Sequence, residues 1–126
     1  MITAVHTLVY ADDPDAARAF FRDVLGMPFS DSGGGWLVFK TGPSELGVHP
    51  RSWEYGGATG STDQRFDVSL MCDDLESTMT ELRGKGAEFE GEPQEEPWGT
   101  TTQLRIPVAG TITLYQPSYD PPAISL

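Results

Sequence analysis

The residues that could do chemistry are two histidines and a few carboxylates and aromatic rings on predicted strands. His6 lies in the β-branched, apolar run "TAVHTLVY", which predicts a strand. His49 ends a second predicted strand, "SELGVH", in which it shares one face with Glu45 and Gly47 because residues two apart in a strand point the same way. A histidine so placed can bind a metal or line a cleft as a hydrogen-bonded side chain. We favour the second role for His6, and for His49 a half-exposed strand end.

Other catalytic arrangements find little support. The run "GGG" lies between two predicted strands rather than before a helix, so it indicates a turn and not a phosphate-binding loop. None of the serines lies in a nucleophile-elbow setting. The single cysteine, Cys72, lies in a strand-like run without a basic neighbour, so we expect a small core residue rather than a reactive thiol.

An internal repeat must position these residues. Segments 10–29 and 71–89 share one plan: an apolar strand, a pair of Asp residues, a helix, a Gly, and a strand ending in Phe, roughly 60 residues apart. The hairpins that follow also match. We predict an α+β fold in which two βαβββ modules form curved mixed sheets around a cleft, with the helices outside. We expect one domain with four parts. Module one covers residues 1–50, a linker covers 51–64, and module two covers 65–117. A tail, 118–126, is expected to wrap the surface.

Local signals refine this plan. Asp13 predicts the N-cap of the first helix and Pro14 its first turn. An apolar stripe through the 17–25 segment, made of Ala17, Phe20, Phe21, Val24 and Leu25, is expected to face the sheet. The segment 88–98, rich in Glu and Pro, is expected to leave its strand as an acidic loop.

Composition narrows the choice of partners. Eight basic residues against 19 acidic ones give a net charge of −11. This balance disfavours nucleic acid and anionic membranes, and it is compatible either with a cationic ligand or with solubility alone. No run reaches the ~18 apolar residues of a membrane span, and the N-terminal segment lacks the features of a signal peptide. With one cysteine and hence no internal disulfide, we expect a cytoplasmic protein.

The chain resembles the vicinal oxygen chelate superfamily, which includes glyoxalase I, extradiol dioxygenases, and fosfomycin and bleomycin resistance proteins. The resemblance lies in "VHTLVYADDPDAARAFFRDVLGM", "VSLMCDDLESTMTELRGKGAEF" and "EPWGTTTQLRIPVAGTITLYQP". It implies two βαβββ modules, a homodimer, and a cleft near the unit or subunit interface. It says less about activity, because this fold supports many unrelated functions.

The resemblance also implies four positions for a divalent metal: His6, Gly47, Asp67 and Thr113. His6 matches the first family ligand. Asp67 stands where a His is usual, Thr113 where a Glu is usual, and Gly47 has no side chain to offer. His6 and Asp67 are therefore the two metal candidates, and they form an incomplete set because catalytic metals need about three protein ligands. A shift in register could bring Glu45 or His49 toward His6.

Aromatic residues suggest a different use of the cleft. In the binding proteins that the chain resembles, such side chains line the cleft and stack on flat ligands. Here they are either cleft residues or core and rim packing, and with acidic neighbours they would suit a flat, cationic guest. The predicted ligand-binding residues are His6, Trp36, Gly47, His49, Trp53, Asp67, Trp98, Thr113 and Tyr115.

Three hypotheses follow from the resemblance. The favoured one is a metal-free protein of the bleomycin-resistance type, without a cofactor, that binds a small aromatic or cationic compound and so acts in antibiotic resistance. The second is a lyase, dioxygenase or transferase of the glyoxalase type, in which a divalent metal acts as a Lewis acid on two substrate oxygens. The third is a family member whose cleft is filled and whose role is assembly.

Overall fold

A computed structural model describes residues 1–24, 26–42, 44–106 and 110–125. Its elements are β1 (Ile2–Ala11), α1 (Pro14–Ala19), β2 (Phe29–Asp31), β3 (Leu37–Lys40), β4 (Glu45–Pro50), β5 (Ser52–Tyr55), β6 (Ala58–Ser61), β7 (Phe66–Cys72), α2 (Leu75–Gly84), β8 (Phe89–Glu96), β9 (Gly99–Ile106), β10 (Gly110–Pro117) and α3 (Pro122–Ser125). A π-helical turn, Phe20–Val24, continues α1. None of the helices in these ranges is long and apolar enough to cross a membrane.

Eight strands form one mixed sheet in the order β2-β3-β4-β1-β7-β10-β9-β8. Each half is a βαβββ module, as predicted, whose first strand pairs in parallel with its last strand: β1 with β4, and β7 with β10. The two modules meet where β1 pairs antiparallel with β7. They are therefore joined edge to edge within a single chain.

The helices α1 and α2 lie on one side of this sheet, called the outer face. Asp74 caps α2 by accepting a hydrogen bond from the Ser77 amide at 3.1 Å. The helix buries an apolar cluster on the outer face, made of Cys72, Leu75, Met79 and Leu114. Burial of Cys72 confirms its predicted role as a small core residue, and burial raises the pKa of its thiol.

The first helix begins as predicted but continues differently. Asp13 accepts a hydrogen bond from the Ala16 amide at 3.0 Å, which confirms the N-cap. After Ala19 the π-helical turn changes the rotation per residue, so the predicted stripe does not stay on one face. Phe20 and Val24 are 49% and 68% exposed, whereas Arg18 is buried. The inward orientation predicted for these two residues is thus wrong, and Leu25 lies outside the described residues.

Two other segments also differ from the expectations. The acidic segment continues as β8, at the edge of the sheet, with an irregularity in pairing between Glu90 and Gln94. Pro93 falls within that irregularity, where a missing N–H breaks no ladder bond, so the prediction of a loop is wrong. The 51–64 linker forms a separate two-stranded hairpin of β5 and β6.

Backbone packing at the start of β9 gives a first test. A Cβ on buried Gly99 would lie 2.4 Å from the Gln116 carbonyl oxygen. We therefore expect Gly99→Ala to reduce the free energy of unfolding by about 1–3 kcal/mol, measured by urea denaturation. The matched control is Gly84→Ala at the end of α2, where nothing lies within 4 Å of the added Cβ. It should be neutral or stabilise by about 0.4–1 kcal/mol. Equal effects of the two substitutions would contradict the packing described.

Candidate functional site

The register of the central strands brings the four family metal positions onto one side of the sheet. Leu8 is paired with both Gly47 and Asp67, one on each neighbouring strand. His6 is paired with Ser69, which is in turn paired with Thr113. Because directly paired residues point to the same side of a sheet, all of these side chains share the face opposite α1 and α2. We call it the inner face.

A buried polar cluster occupies one end of the inner face. It consists of His6, Glu45, Tyr115 and Tyr119. His6 and Glu45 are paired neighbours on β1 and β4, and His6 Nδ1 is hydrogen-bonded to Glu45 Oε2. Tyr119 donates its hydroxyl proton to the same oxygen at 2.7 Å and lies 2.6 Å from the Tyr115 hydroxyl. Since Tyr119 has one proton, Tyr115 is the donor between the two tyrosines.

Burial dominates the chemistry of this cluster. Glu45 is 0% exposed and His6 is 8% exposed. Burial raises the pKa of the Tyr119 hydroxyl well above its usual value, reinforced by the Tyr115 and Glu45 charges, and burial also raises that of Tyr115. Both tyrosines are therefore neutral hydrogen-bond donors at physiological pH. The preference for a hydrogen-bonded rather than metal-binding His6 agrees with this geometry.

Gly47 has a packing role that the sequence did not reveal. A Cβ at this position would lie 3.0 Å from His6 Nε2 and 3.3 Å from a Leu8 methyl carbon. The imidazole of His6 therefore leans over Gly47 toward the space that a larger residue would fill. Glycine at this family position makes room for the ring that Glu45 holds.

The donor set at the four positions does not fit a divalent metal. His6 Nδ1 is bonded to Glu45, and Asp67 Oδ1 accepts from the Val68 amide at 2.9 Å. Thr113 Oγ1 accepts a hydrogen bond from Gln103 Nε2 at 2.9 Å. Within the described ranges, no three His, Cys, Asp or Glu side chains come close enough together to hold a metal. Glu45 reaches His6 without any shift in register, but the pair alone falls short of three ligands.

Three rings form an aromatic wall at the other end of the inner face. It consists of Tyr10, His49 and Trp36. The His49 ring makes edge-to-face contacts with Trp36, at 5.0 Å between centroids, and with Tyr10, at 6.2 Å. Burial lowers the pKa of His49 to about 4, helped by the charges of His6 and Arg18. At neutral pH this ring is therefore uncharged, and the wall is continuous and apolar.

Charged groups lie at both ends of the aromatic wall. The Arg18 guanidinium lies 4.5 Å above the Trp36 ring and donates to the Val48 carbonyl oxygen at 2.6 Å. Burial lowers the pKa of Arg18, but the guanidinium stays protonated because an arginine pKa lies far above neutral pH. At the far end, burial and the negative charge of Asp67 raise the pKa of Tyr10. Because Arg18 Nη1 lies 3.3 Å from Asp15 Oδ1, the wall has an Arg–Asp ion pair at one end and the Asp67 carboxylate at the other.

The remaining predicted residues divide between the inner face and elsewhere. Tyr115 lies in the buried polar cluster, and Trp98 contacts its ring at 5.1 Å between centroids. Trp53 lies on β5, outside the main sheet, with its ring across Gly60. The structure therefore separates it from the rest of the predicted set.

Several residues of the site are absent from the predicted set. Glu45 is not among the predicted ligand-binding residues, although its place on the face of His49 and an approach to His6 both follow from strand alternation. Tyr10 follows His6 on the same face of β1 and could have been found in the same way. Arg18 and Tyr119 have no such signal, because Arg18 acts through a contact with Trp36 and Tyr119 through a contact with Glu45 across 74 residues.

Burial of neutral His49 predicts a pH effect on stability. In the unfolded chain, His49 takes up a proton with a pKa near 6.5. In the folded protein it does so only at about pH 4. Stability should therefore fall as pH drops through this window, by about 2 kcal/mol between pH 7 and pH 5. Urea denaturation of the wild type and of His49→Gln measures the effect. The carboxylates are the same in both proteins. If the free energy of unfolding depended on pH equally in both, the contribution of His49 would be ruled out.

Comparisons with known proteins agree with this architecture. The family model of the Glyoxalase/Bleomycin resistance protein/Dioxygenase superfamily matches residues 3–111. The uncharacterized protein YetH of Bacillus subtilis is 26% identical over 113 residues, covering 83% of this chain and 91% of YetH.

Solved structures with a similar fold are more distant in sequence. A Legionella pneumophila chain described as an NAD-dependent benzaldehyde dehydrogenase aligns with a TM-score of 0.61 and 14% identity, over 90% of this chain and 99% of that chain. A Streptomyces coelicolor methylmalonyl-CoA epimerase in complex with 2-nitronate-propionyl-CoA aligns with a TM-score of 0.59 and 16% identity. The alignment covers 94% of this chain and 99% of that chain. These likenesses show the fold alone. The family match spans most of the residues that build both modules, and the chain belongs to the Glyoxalase/Bleomycin resistance protein/Dioxygenase superfamily.

Proposed function

We propose that the protein binds a flat aromatic small molecule on the inner face without using a metal. The observation that carries the proposal is the aromatic wall of Tyr10, His49 and Trp36. A flat ligand would stack or pack edge-on against these rings, and each such aromatic contact contributes about 0.5–1.5 kcal/mol beyond the area it buries. Trp36 is 37% exposed, so part of its ring is open to a ligand.

The charges beside the wall favour one orientation of the ligand. At one end the charge of Arg18 is paired with Asp15 at 3.3 Å, whereas Asp67 contributes a negative charge at the other end. A ligand with a cationic group would place that group near Asp67 and its uncharged rings toward Trp36. The net charge of −11 adds a field that attracts cations to the whole molecule.

The enzymatic alternative needs a divalent metal. In a lyase, dioxygenase or transferase of the glyoxalase type, that ion would polarise two neighbouring substrate oxygens. The donor set described above supports binding over this chemistry, and metal analysis of protein purified without chelator separates the two. Stoichiometric metal that is lost in His6→Ala would favour the enzyme. The homodimer, the cytoplasmic location and a role in antibiotic resistance stay predictions.

Calorimetric titration with a matched pair of ligands tests the proposal. At slightly alkaline pH, 9-aminoacridine is a flat cation and acridine is its neutral counterpart. We expect both to bind, with the cation tighter, because the rings use the aromatic wall and the charge uses Asp67. Trp36→Leu should weaken both by about tenfold, a loss of one to two aromatic contacts. Asp67→Asn should remove the preference for the cation.

The control variant is Trp53→Leu, which removes a tryptophan outside the main sheet. It should leave both affinities unchanged. Absence of binding across a broad panel of flat compounds, or equal losses in Trp36→Leu and Trp53→Leu, would contradict the proposal.

A further inference from the structure

The C-terminal segment, residues 118–125, covers the end of the inner face that holds the buried polar cluster. Tyr119 and Ala123 pack against an apolar patch of Ala4, Met71 and Tyr115. Pro122 is almost completely buried, and α3 packs against β1 and β3. One end of the inner face is thus occupied by the chain itself, whereas the aromatic wall lies at the other end.

Tyr119 makes the contacts that a bound phenol would make. Its ring is packed against the apolar patch, and its hydroxyl donates to Glu45 Oε2 at 2.7 Å. The same hydroxyl accepts from Tyr115 at 2.6 Å and lies 3.4 Å from His6 Nδ1. Three polar groups from three different strands therefore converge on one hydroxyl oxygen of the tail.

Glu45 is only partly satisfied by this arrangement. Its second carboxylate oxygen, Oε1, is buried and has no hydrogen-bond partner among the described residues. An unpaired buried acceptor is costly, and a charged one more so. A ligand that supplied a hydroxyl to Oε2 and a further donor to Oε1 would satisfy the carboxylate better than Tyr119 does.

The segment is held by apolar packing, by the hydrogen bond of Tyr119 to Glu45 and by two hydrogen bonds at Ser118. Ser118 donates from its amide to the Trp98 carbonyl oxygen and from its hydroxyl to the Pro97 carbonyl oxygen, both at 3.0 Å. Beyond Tyr119, the hydrogen bonds in the described part of the segment lie within the turn around Pro121. Ile124, in α3, remains 57% exposed. Displacement of residues 119–125 would therefore expose the packed surfaces of Tyr119, Pro122 and Ala123, which a bound ligand must cover in turn.

We infer that the C-terminal segment is a displaceable occupant of the ligand site and that its competitor is a hydroxyaromatic compound. The ligand hydroxyl takes the place of the Tyr119 hydroxyl at Glu45. The inference deepens the proposed function and rests on it, because the same ligand then extends toward the aromatic wall. Glu45 and His49 are four residues apart on β4, about 13 Å along the strand, which suits a compound of two or three rings.

Fluorine NMR of the wild-type protein tests displacement directly. The chain has four tyrosines, so 3-fluorotyrosine gives four resonances that single Tyr→Phe variants assign. Adding 4-methylphenol, which reproduces the tyrosine side chain, should move the Tyr119 resonance to the position of an exposed residue. Tyr55, 68% exposed in the hairpin, is the internal control and should not move. An unchanged Tyr119 resonance at saturating 4-methylphenol would overturn displacement.

A cavity variant tests the chemical class. Tyr119→Ala removes the phenol from the site, and 4-methylphenol should then bind and raise the thermal midpoint. Toluene, with the same ring and methyl group but no hydroxyl, should bind at least about tenfold more weakly, because it leaves a buried Glu45 oxygen without a donor. Equal binding of the two compounds, or binding of neither, would overturn the assignment of a hydroxyl site at Glu45. If Tyr119→Ala does not fold, Tyr119→Phe, which lacks the hydrogen bond to Glu45, should bind 4-methylphenol more tightly than the wild type does.

The two proposals fail in different ways. Acridine binding that depends on Trp36, together with a Tyr119 resonance that 4-methylphenol does not move, would leave the proposed function standing and overturn this inference. Movement of Tyr119 by 4-methylphenol without any binding of flat compounds at Trp36 would overturn the proposed function alone.

Discussion

The antiparallel pairing of β1 with β7 is the interaction on which the rest of the structure depends. It joins two modules that each bury too little to stand alone, and it makes one sheet of eight strands. The pairing also sets which side chains share a face. Because side chains alternate along a strand, a slip of one residue would turn His6 toward the outer face and remove it from Glu45 and Ser69. The site is thus a consequence of register.

A fully buried carboxylate then constrains everything near it. Glu45 cannot reach water, so its partners must come from the protein, and they come from β1 and from the C-terminal segment. Burying an ionisable group is costly unless it is hydrogen-bonded. The tail is therefore part of the energetics of the site as well as its cover.

The sequence carries enough information for the architecture and less for the site. The repeat predicts both modules, and strand alternation predicts that Gly47, Glu45 and His49 share a face, because both depend on local periodicity. Arg18 is buried on α1 against the Trp36 ring, and no local pattern predicts this contact between two separate segments. Tyr119 reaches Glu45 across 74 residues from a segment without periodicity, so only tertiary structure could reveal it.

The two modules keep the same topology but supply different surfaces. On the inner face, module one contributes the rings of the aromatic wall and the His6–Glu45 pair, whereas module two contributes hydroxyl and amide groups such as Thr113 and Gln103. Gly47 belongs to this divergence, since its missing side chain lets the His6 ring turn toward β4. A symmetric chelate would need matching ligands from both modules. The asymmetry instead places the aromatic wall on the side of module one and the Gln103–Thr113 hydrogen bond on the side of module two.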